Sequence, residues 1–222
     1  MHNWNIYINF NEASKQAAEF LASSIEDFIV QNNVCHVILP GGNTPVATLK
    51  LLAQQKINWE KVHWYLGDER CLPPDNSERN DLMLENNLWS KINNTHIHRI
   101  AAELGAEEAA AQYRNDIKGI KEFDIAFLGM GEDGHTASLF PEHEALNDHR
   151  SAIPVYNSPK PPSDRVSLSL DTLRKSKIKI VLVGGNGKAQ IISKIKLGEP
   201  LPINSIGEVN WFIDDAANNT QA

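Results

Sequence analysis

The chain has 222 residues, 41% hydrophobic and 22% charged, with a formal net charge of −7 at pH 7. That size fits one large domain, residues 1–222, with a substantial buried core, and the composition is that of an ordinary soluble globule. A negative balance without clustered bases argues against nucleic acid or an anionic membrane as partner, and no stretch reaches the ~18 apolar residues of a membrane span. Two cysteines, Cys35 and Cys71, build no disulfide framework. The opening Met1-His2-Asn3-Trp4-Asn5 lacks the basic region and apolar core of a signal peptide, so a cytoplasmic location is expected.

Trp4 to Phe10 alternates apolar and polar residues, as a half-buried strand does. Asn11 suits an N-cap, and Ala17, Leu21, Ile25 and Phe28 repeat at helical spacing to about Gln31. Cys35 to Leu39 reads as a short buried strand broken by Pro40-Gly41-Gly42. Asn43 and Thr44 then lead into Pro45, which suits the first turn of a helix to about Gln54. Strand, glycine loop and helix together suit either a phosphate cradle, with free N–H groups and the positive helix end at the loop, or a simple βα turn capped by Thr44. Val62 to Leu66 is a second apolar strand, ending in Gly67-Asp68-Glu69-Arg70, and Ser77 can cap a helix from Glu78 to about Trp89. His96 to Ile100 suggests a strand, and Glu103 to about Lys118 a helix.

Phe123 to Leu128 reads as a buried strand that empties into Gly129-Met130-Gly131-Glu132-Asp133-Gly134-His135-Thr136-Ala137-Ser138-Leu139-Phe140-Pro141. Strand ends of this kind are where open α/β sheets place ligands. The glycines permit a tight turn carrying Asp133 and His135. Further on, Glu142 to Arg150 reads as loop and Ile153 to Tyr156 as a short strand. The Pro- and Ser-rich Asn157 to Asp164 is a surface loop delivering Arg165 into a strand from Val166 to Leu170. Ile178 to Val183 precedes Gly184-Gly185-Asn186-Gly187-Lys188 and a helix through Lys196, repeating the strand, glycine, helix device with a lysine at the helix start. Pro200 to Pro202 and Ile206-Gly207 read as turns, Val209 to Ile213 as a last strand, and Asp214 to Ala222 as a polar tail. Alternating strands and helices predict a three-layer α/β fold with a largely parallel sheet.

The string from Phe127 to Pro141 closely resembles the signature of the 6-phosphogluconolactonases. The resemblance recurs, in the family's order, at Leu39 to Pro45, Gly67 to Arg70, Pro161 to Ser167 and Gly184 to Lys188. It implies a Rossmann-like sheet shared with glucosamine-6-phosphate deaminases and ribose-5-phosphate isomerases. It further implies hydrolysis of 6-phospho-D-glucono-1,5-lactone to 6-phosphogluconate in the oxidative pentose phosphate pathway. Under it, Asn43 and Thr44 at the first glycine loop hold the 6-phosphate, with Arg70, Arg165 and Lys188 as charge partners. The family more often has Ser where Asn43 stands. It also carries Ser-Asn after the acidic loop, where this chain reads Glu78-Arg79-Asn80-Asp81 and Asn80 takes the Asn place.

Lactone opening needs activated water, a stabilised oxyanion and a proton for the leaving oxygen. His135 can supply the first and third. Either Asp133 or Asp68 can orient it or the substrate hydroxyls. N–H groups of the Gly129 to Gly134 turn, or of Gly41 and Gly42, are candidate oxyanion donors. A strained cyclic ester demands no metal, covalent nucleophile or cofactor. His96 and His98 alternate on one strand face, but no carboxylate or cysteine pattern completes a metal site. Cys71 beside Arg70 has one basic neighbour, which does not make a thiolate. Gly129-x-Gly131 after a strand also suits dinucleotide binding, except that Asp133 and His135 crowd the third glycine. The rival readings are an isomerase or deaminase of sugar phosphates and a non-catalytic sugar-phosphate sensor. Deaminases follow the Asp-Gly-His core with a Glu, where this chain has Leu139-Phe140-Pro141. The expected partner is a small sugar phosphate lactone, and the expected state is a monomer.

Overall fold

The apolar runs become the centre of a seven-stranded sheet in a computed structural model that describes residues 2–93 and 96–219. Its strands are β1 (Asn3–Tyr7), β2 (Cys35–Leu39), β3 (Val62–Leu66), β5 (Ile97–His98), β6 (Ile125–Leu128), β9 (Ile178–Val183) and β10 (Asn210–Asp214), in spatial order β1-β10-β9-β6-β2-β3-β5. Every pairing is parallel. The expected α/β architecture is present, with helices flanking the sheet. β6 is buried at all four positions, as a central parallel strand covered on both faces must be. From β2 the chain steps outward through β3 to β5, then returns to β6 and steps the other way through β9 to β10. The order therefore reverses between β2 and β6, which makes the ends of these two strands the topological switch point.

Helix α1 (Phe10–Asn32) buries Ala13, Ala17, Leu21, Ile25 and Phe28 and packs across β10, β9, β2 and β6. Its cap is Asn9, not the expected Asn11: Asn9 Oδ1 accepts from Glu12 N at 2.9 Å, so the first strand ends at Tyr7 and Phe10 is already helical. Phe10 lies over Gly184, where a Cβ would come within 2.2 Å of the ring. Helix α2 (Val46–Leu52) begins after Pro45 with no side-chain cap, so Thr44 is left uncommitted at the loop.

Asp68–Arg70, expected as loop, is instead strand β4 in a second, antiparallel sheet with β7 (Ala152–Val155) and β8 (Arg165–Leu168), in order β4-β8-β7. Gly67 joins the sheets, donating to Leu39 O at 2.9 Å and accepting from Leu168 N at 2.8 Å. At three residues β4 is too short for alternation to announce it, whereas the strands expected at Ile153 to Tyr156 and Val166 to Leu170 are present as β7 and β8. Helix α3 (Asn80–Asn87) starts later than the expected Glu78. Its opening N–H groups are capped by the distant Glu69 carboxylate and not by Ser77, an arrangement only tertiary structure creates. Helix α4 (Ala106–Ile117) starts after a 3-10 turn, and α5 (Leu170–Lys175), capped by Ser169, replaces the expected strand end at Leu170. Helix α6 (Ala189–Lys196) follows a 3-10 turn at Asn186–Lys188. Asp214 closes β10 and caps α7 (Asp215–Asn218), ordering part of what reads as tail. Among the described residues no helix is long and apolar enough to cross a membrane.

Candidate active site

The loops after β2, β3 and β6 meet over the switch point in a cleft of about 180 Å³. From the first loop come Gly41, Gly42 and Thr44, from the second Asp68 and Arg70, and from the third Gly129 to Gly131, His135 and Ala137; Asn80 and Arg165 complete the wall. Sites at this point are expected because strand ends diverge there and leave a crevice.

The glycine turn is closed by its own backbone. Gly131 N donates to His135 O at 2.9 Å and Gly134 N to Gly131 O at 3.2 Å, while Thr136 Oγ1 donates to Gly129 O at 3.0 Å. Gly134 has φ +81°, and Ala137, at φ 48°, holds a left-handed conformation unfavourable for a side chain. His135 folds back over Gly131, where a Cβ would stand 2.0 Å from Nδ1, so only glycine fits. The expectation that this turn supplies oxyanion donors is corrected for Gly131 and Gly134, whose N–H groups are spent internally. The N–H groups of Gly41 and Gly42, and those of Gly129 and Met130, have no hydrogen-bond partner among the described residues and are the candidate donors at the cleft.

Asp133, not Asp68, is the acid hydrogen-bonded to the imidazole. Its Oδ1 lies 2.5 Å from His135 Nδ1 and also accepts the His135 backbone N–H at 3.3 Å. With Nδ1–H donated to the carboxylate, Nε2 carries the free lone pair. The ring is 16% exposed and packs on Phe140 with centroids 4.5 Å apart. Burial lowers the His135 pKa below its ordinary 6.5, outweighing the opposing pull of Asp133. Burial alone would raise the Asp133 carboxyl, but the hydrogen bond and charge of His135 hold it below its usual value.

Asp68 is engaged elsewhere. Its Oδ2 accepts from Ser138 Oγ at 2.6 Å, and Asn80 Nδ2 reaches its backbone oxygen at 2.9 Å and its Oδ1 at 3.4 Å. Asn80 is 2% exposed, yet its Oδ1 has no partner. That oxygen presses on Gly41, where a Cβ would fall 1.9 Å away. Behind it Glu69 is fully buried and pushed up to about 7 by burial, with three backbone N–H groups pulling the other way.

The expected phosphate ligands fall into two groups. Arg70 lines the cleft, donating through Nη1 to Glu78 O and leaving its buried Nε unpartnered. Arg165 also lines it, but most of its donors are committed: Nε to Pro162 O at 3.2 Å, Nη2 to Lys160 O and Pro161 O at 3.0 and 2.9 Å, and Nη1 to Ser138 Oγ at 3.5 Å. Thr44 lies on the wall, whereas exposed Asn43 and half-buried Lys188 stand outside the lining, and Lys188 Nζ donates to Met130 O at 3.0 Å beside the turn. The second glycine loop does not repeat the first cradle, because the Asp214 carboxylate takes the Gly185 N–H at 3.0 Å. Ser138, Thr136 and the wedge of Asn80 are the partners sequence reasoning did not assign; the hydroxyls stand inside the glycine motif, which was their available signal.

His98 of β5 and His96 stack on His63, with centroids 5.5 and 4.2 Å away, and His63 Nδ1 meets His98 Nε2 at 3.2 Å. Among the described residues no group of three His, Cys, Asp or Glu side chains is placed to hold a metal. Burial pushes the Cys71 thiol up to about 11, away from thiolate chemistry.

Residues 9–211 match the family model described as glucosamine-6-phosphate isomerases/6-phosphogluconolactonase. The chain belongs to this family. A curated 6-phosphogluconolactonase of Haemophilus influenzae is 31% identical across 95% of this chain and 97% of its own length. The crystal structure of 6-phosphogluconolactonase from Thermotoga maritima superposes with a TM-score of 0.89 at 29% identity, covering 95% of this chain and 99% of that one. A monomeric glucosamine-6-phosphate deaminase shares the fold at a TM-score of 0.85 and 18% identity, covering 98% of both chains. One fold is thus shared by proteins of both names.

Proposed function

We propose that this protein hydrolyses 6-phospho-D-glucono-1,5-lactone to 6-phosphogluconate, with His135 as the general base. The observation that carries the reading is the Asp133–His135 pair at the switch point, which leaves Nε2 free to accept a proton. Water loses a proton to Nε2 as its oxygen adds to the lactone carbonyl. The N–H groups of Gly41 and Gly42 receive the developing oxyanion. When the tetrahedral centre collapses, the C–O bond to the ring oxygen breaks, and the imidazolium returns its proton to that oxygen. Asp133 holds the ring in place and favours the imidazolium while it exists.

In this reading Arg70 and Thr44, with the Arg165 donor that faces Ser138, bind the 6-phosphate, supported by their position on the cleft wall. Asn43 and Lys188 stand close by to add an amide and a charge. Asn80 Oδ1, a buried acceptor without a donor, suits a sugar hydroxyl. Phe140 against His135 puts an apolar ring where a deaminase has its acid, which favours ester hydrolysis over amino-sugar chemistry. A single-domain, monomeric, cytoplasmic protein completes the reading, supported by the ordinary composition and the lack of a linker-like stretch.

Acid release from freshly generated 6-phosphogluconolactone at pH ~7, against the spontaneous rate and with unphosphorylated gluconolactone alongside, tests the proposal. Acceleration confined to the phosphorylated lactone is expected. Folded protein that accelerates neither would overturn it in favour of an isomerase or a sensor.

A further inference from the structure

Glu69 sits between two residues of the cleft, Asp68 and Arg70, and never reaches it. Its side chain is fully buried, and among the described residues no ion pair neutralises it. The nearby guanidinium of Arg79 is committed to Asp81 and Glu103. Instead the carboxylate is wrapped by backbone: Oε1 accepts from Arg70 N and Asn80 N, and Oε2 from Asp81 N, each at 2.8 Å. Two of those donors open α3, so Glu69 fastens the helix start to β4.

The first residue of α3 is Asn80, whose side chain is wedged between Asp68 and Gly41 with an orphaned oxygen. Burying an unpaired carboxylate is costly, and a helix start can be capped far more cheaply by an N-cap Ser or Asp. Ser77 lies three residues upstream and is not used. What the carboxylate adds is geometry: anchored on Arg70 N within β4, it takes two bonds from the start of α3, which hold α3 against sliding along β4 and Asn80 Oδ1 at one point of the cleft wall.

We propose that Glu69 is a positioning residue for the reaction, acting through Asn80 by locking the start of α3 to β4. Its kinetic consequence rests on the lactonase reading; its structural consequence does not. Glu69→Gln is isosteric, but its amide nitrogen would face either Asp81 N–H or the Arg70 and Asn80 pair, donor against donor, and α3 must shift.

The test has two arms. In the first, the side-chain amide signals of Asn80 are identified in ¹⁵N spectra by their loss in Asn80→Ala. Glu69→Gln is expected to shift or broaden them, and an unchanged pair in folded protein would overturn the proposal. In the second, kcat/KM is measured for Glu69→Gln, Asn80→Ala and the double variant. Glu69→Gln alone is expected to lose roughly 10-fold, a factor that disappears in the Asn80→Ala background. Losses that simply multiply would show that Glu69 acts as general scaffold and would overturn the proposal. Should Glu69→Gln not fold, Glu69→Asp, which keeps the charge and shortens the reach, carries both arms with the same expected and overturning results. Wild-type protein inactive on the lactone would sink the lactonase reading, and the spectroscopic arm would still decide Glu69.

Discussion

Within a single side-chain pair, the chemistry depends on which nitrogen of His135 is free. Asp133 Oδ1 takes Nδ1–H, so in the proposed reaction Nε2 is the base, and removing either partner has a distinct signature. His135→Ala is expected to lower kcat by at least ~100-fold with little change in KM, since general base help is worth roughly 10² to 10⁴. Asp133→Asn, which can present its amide to Nδ1 and favour the wrong tautomer, should also reduce kcat more than KM. Unchanged turnover in either variant would remove that residue from the mechanism. Because burial depresses the His135 pKa below 6.5, the base form prevails at pH 7. kcat/KM should therefore hold to below pH 6.5 and then fall about tenfold per unit of acidification. A fall that already begins above pH 6.5 would contradict the assignment.

Among the elements, the loop before β8 shows that a charged residue beside a motif need not be a free ligand. Arg165 donates to the carbonyls of Lys160, Pro161 and Pro162 in succession, and its guanidinium carbon sits 5.6 Å from the centroid of Phe140. It is the clasp of the loop as well as a wall of the cleft. Arg165→Lys keeps the charge but cannot span three carbonyls with one ammonium. This variant is expected to raise KM for the phosphorylated lactone and to increase protease cutting between residues 157 and 164. A raised KM with unchanged cutting would assign Arg165 to the phosphate alone; faster cutting with unchanged KM would make it purely structural.

Across the whole molecule, several histidines are packed so that protonation opposes folding. His63, inside its stack, is lowered to about 4, chiefly by burial and then by His36, His96 and His98, while His36 and His98 are lowered by burial as well. A histidine whose folded pKa lies below its unfolded 6.5 contributes stability that is complete above 6.5 and lost as pH falls towards 4. Glu69 acts in the opposite sense: its folded pKa of about 7 exceeds the ordinary carboxylate value, so acidification from 7 relieves part of its burial cost. With His2 and His135 also lowered by burial, the histidines together outweigh the one raised carboxyl, and the urea midpoint is expected to drop between pH 6.5 and 4. His63→Phe, which keeps a ring in the stack, should flatten that drop; an unchanged pH dependence would show that the cluster does not govern it.

What could be read without coordinates was what local chemistry dictates. Short apolar runs such as Ile125–Leu128, emptying into glycines, read as covered strands, and helical spacing in Phe10–Asn32 buries one face, so the layered α/β fold was legible. The string from Gly129 to Ser138 carried its conformation in its glycines and its chemistry in Asp133 and His135. The three-residue β4 was not legible, because a strand that short is defined by its partners β8 and β7 rather than by its own pattern. Nor was the start of α3, since its cap arrives from Glu69, eleven residues earlier than Asn80. The choice between Asp133 and Asp68, the sealing of Gly185 by Asp214 and the clasping role of Arg165 likewise waited on tertiary structure. The local pattern determined which segments fold and which chemistry they carry. Which donor meets which acceptor was decided only when the β2, β3 and β6 loops were brought to one switch point, because hydrogen bonds are short and directional and a sequence holds no distances.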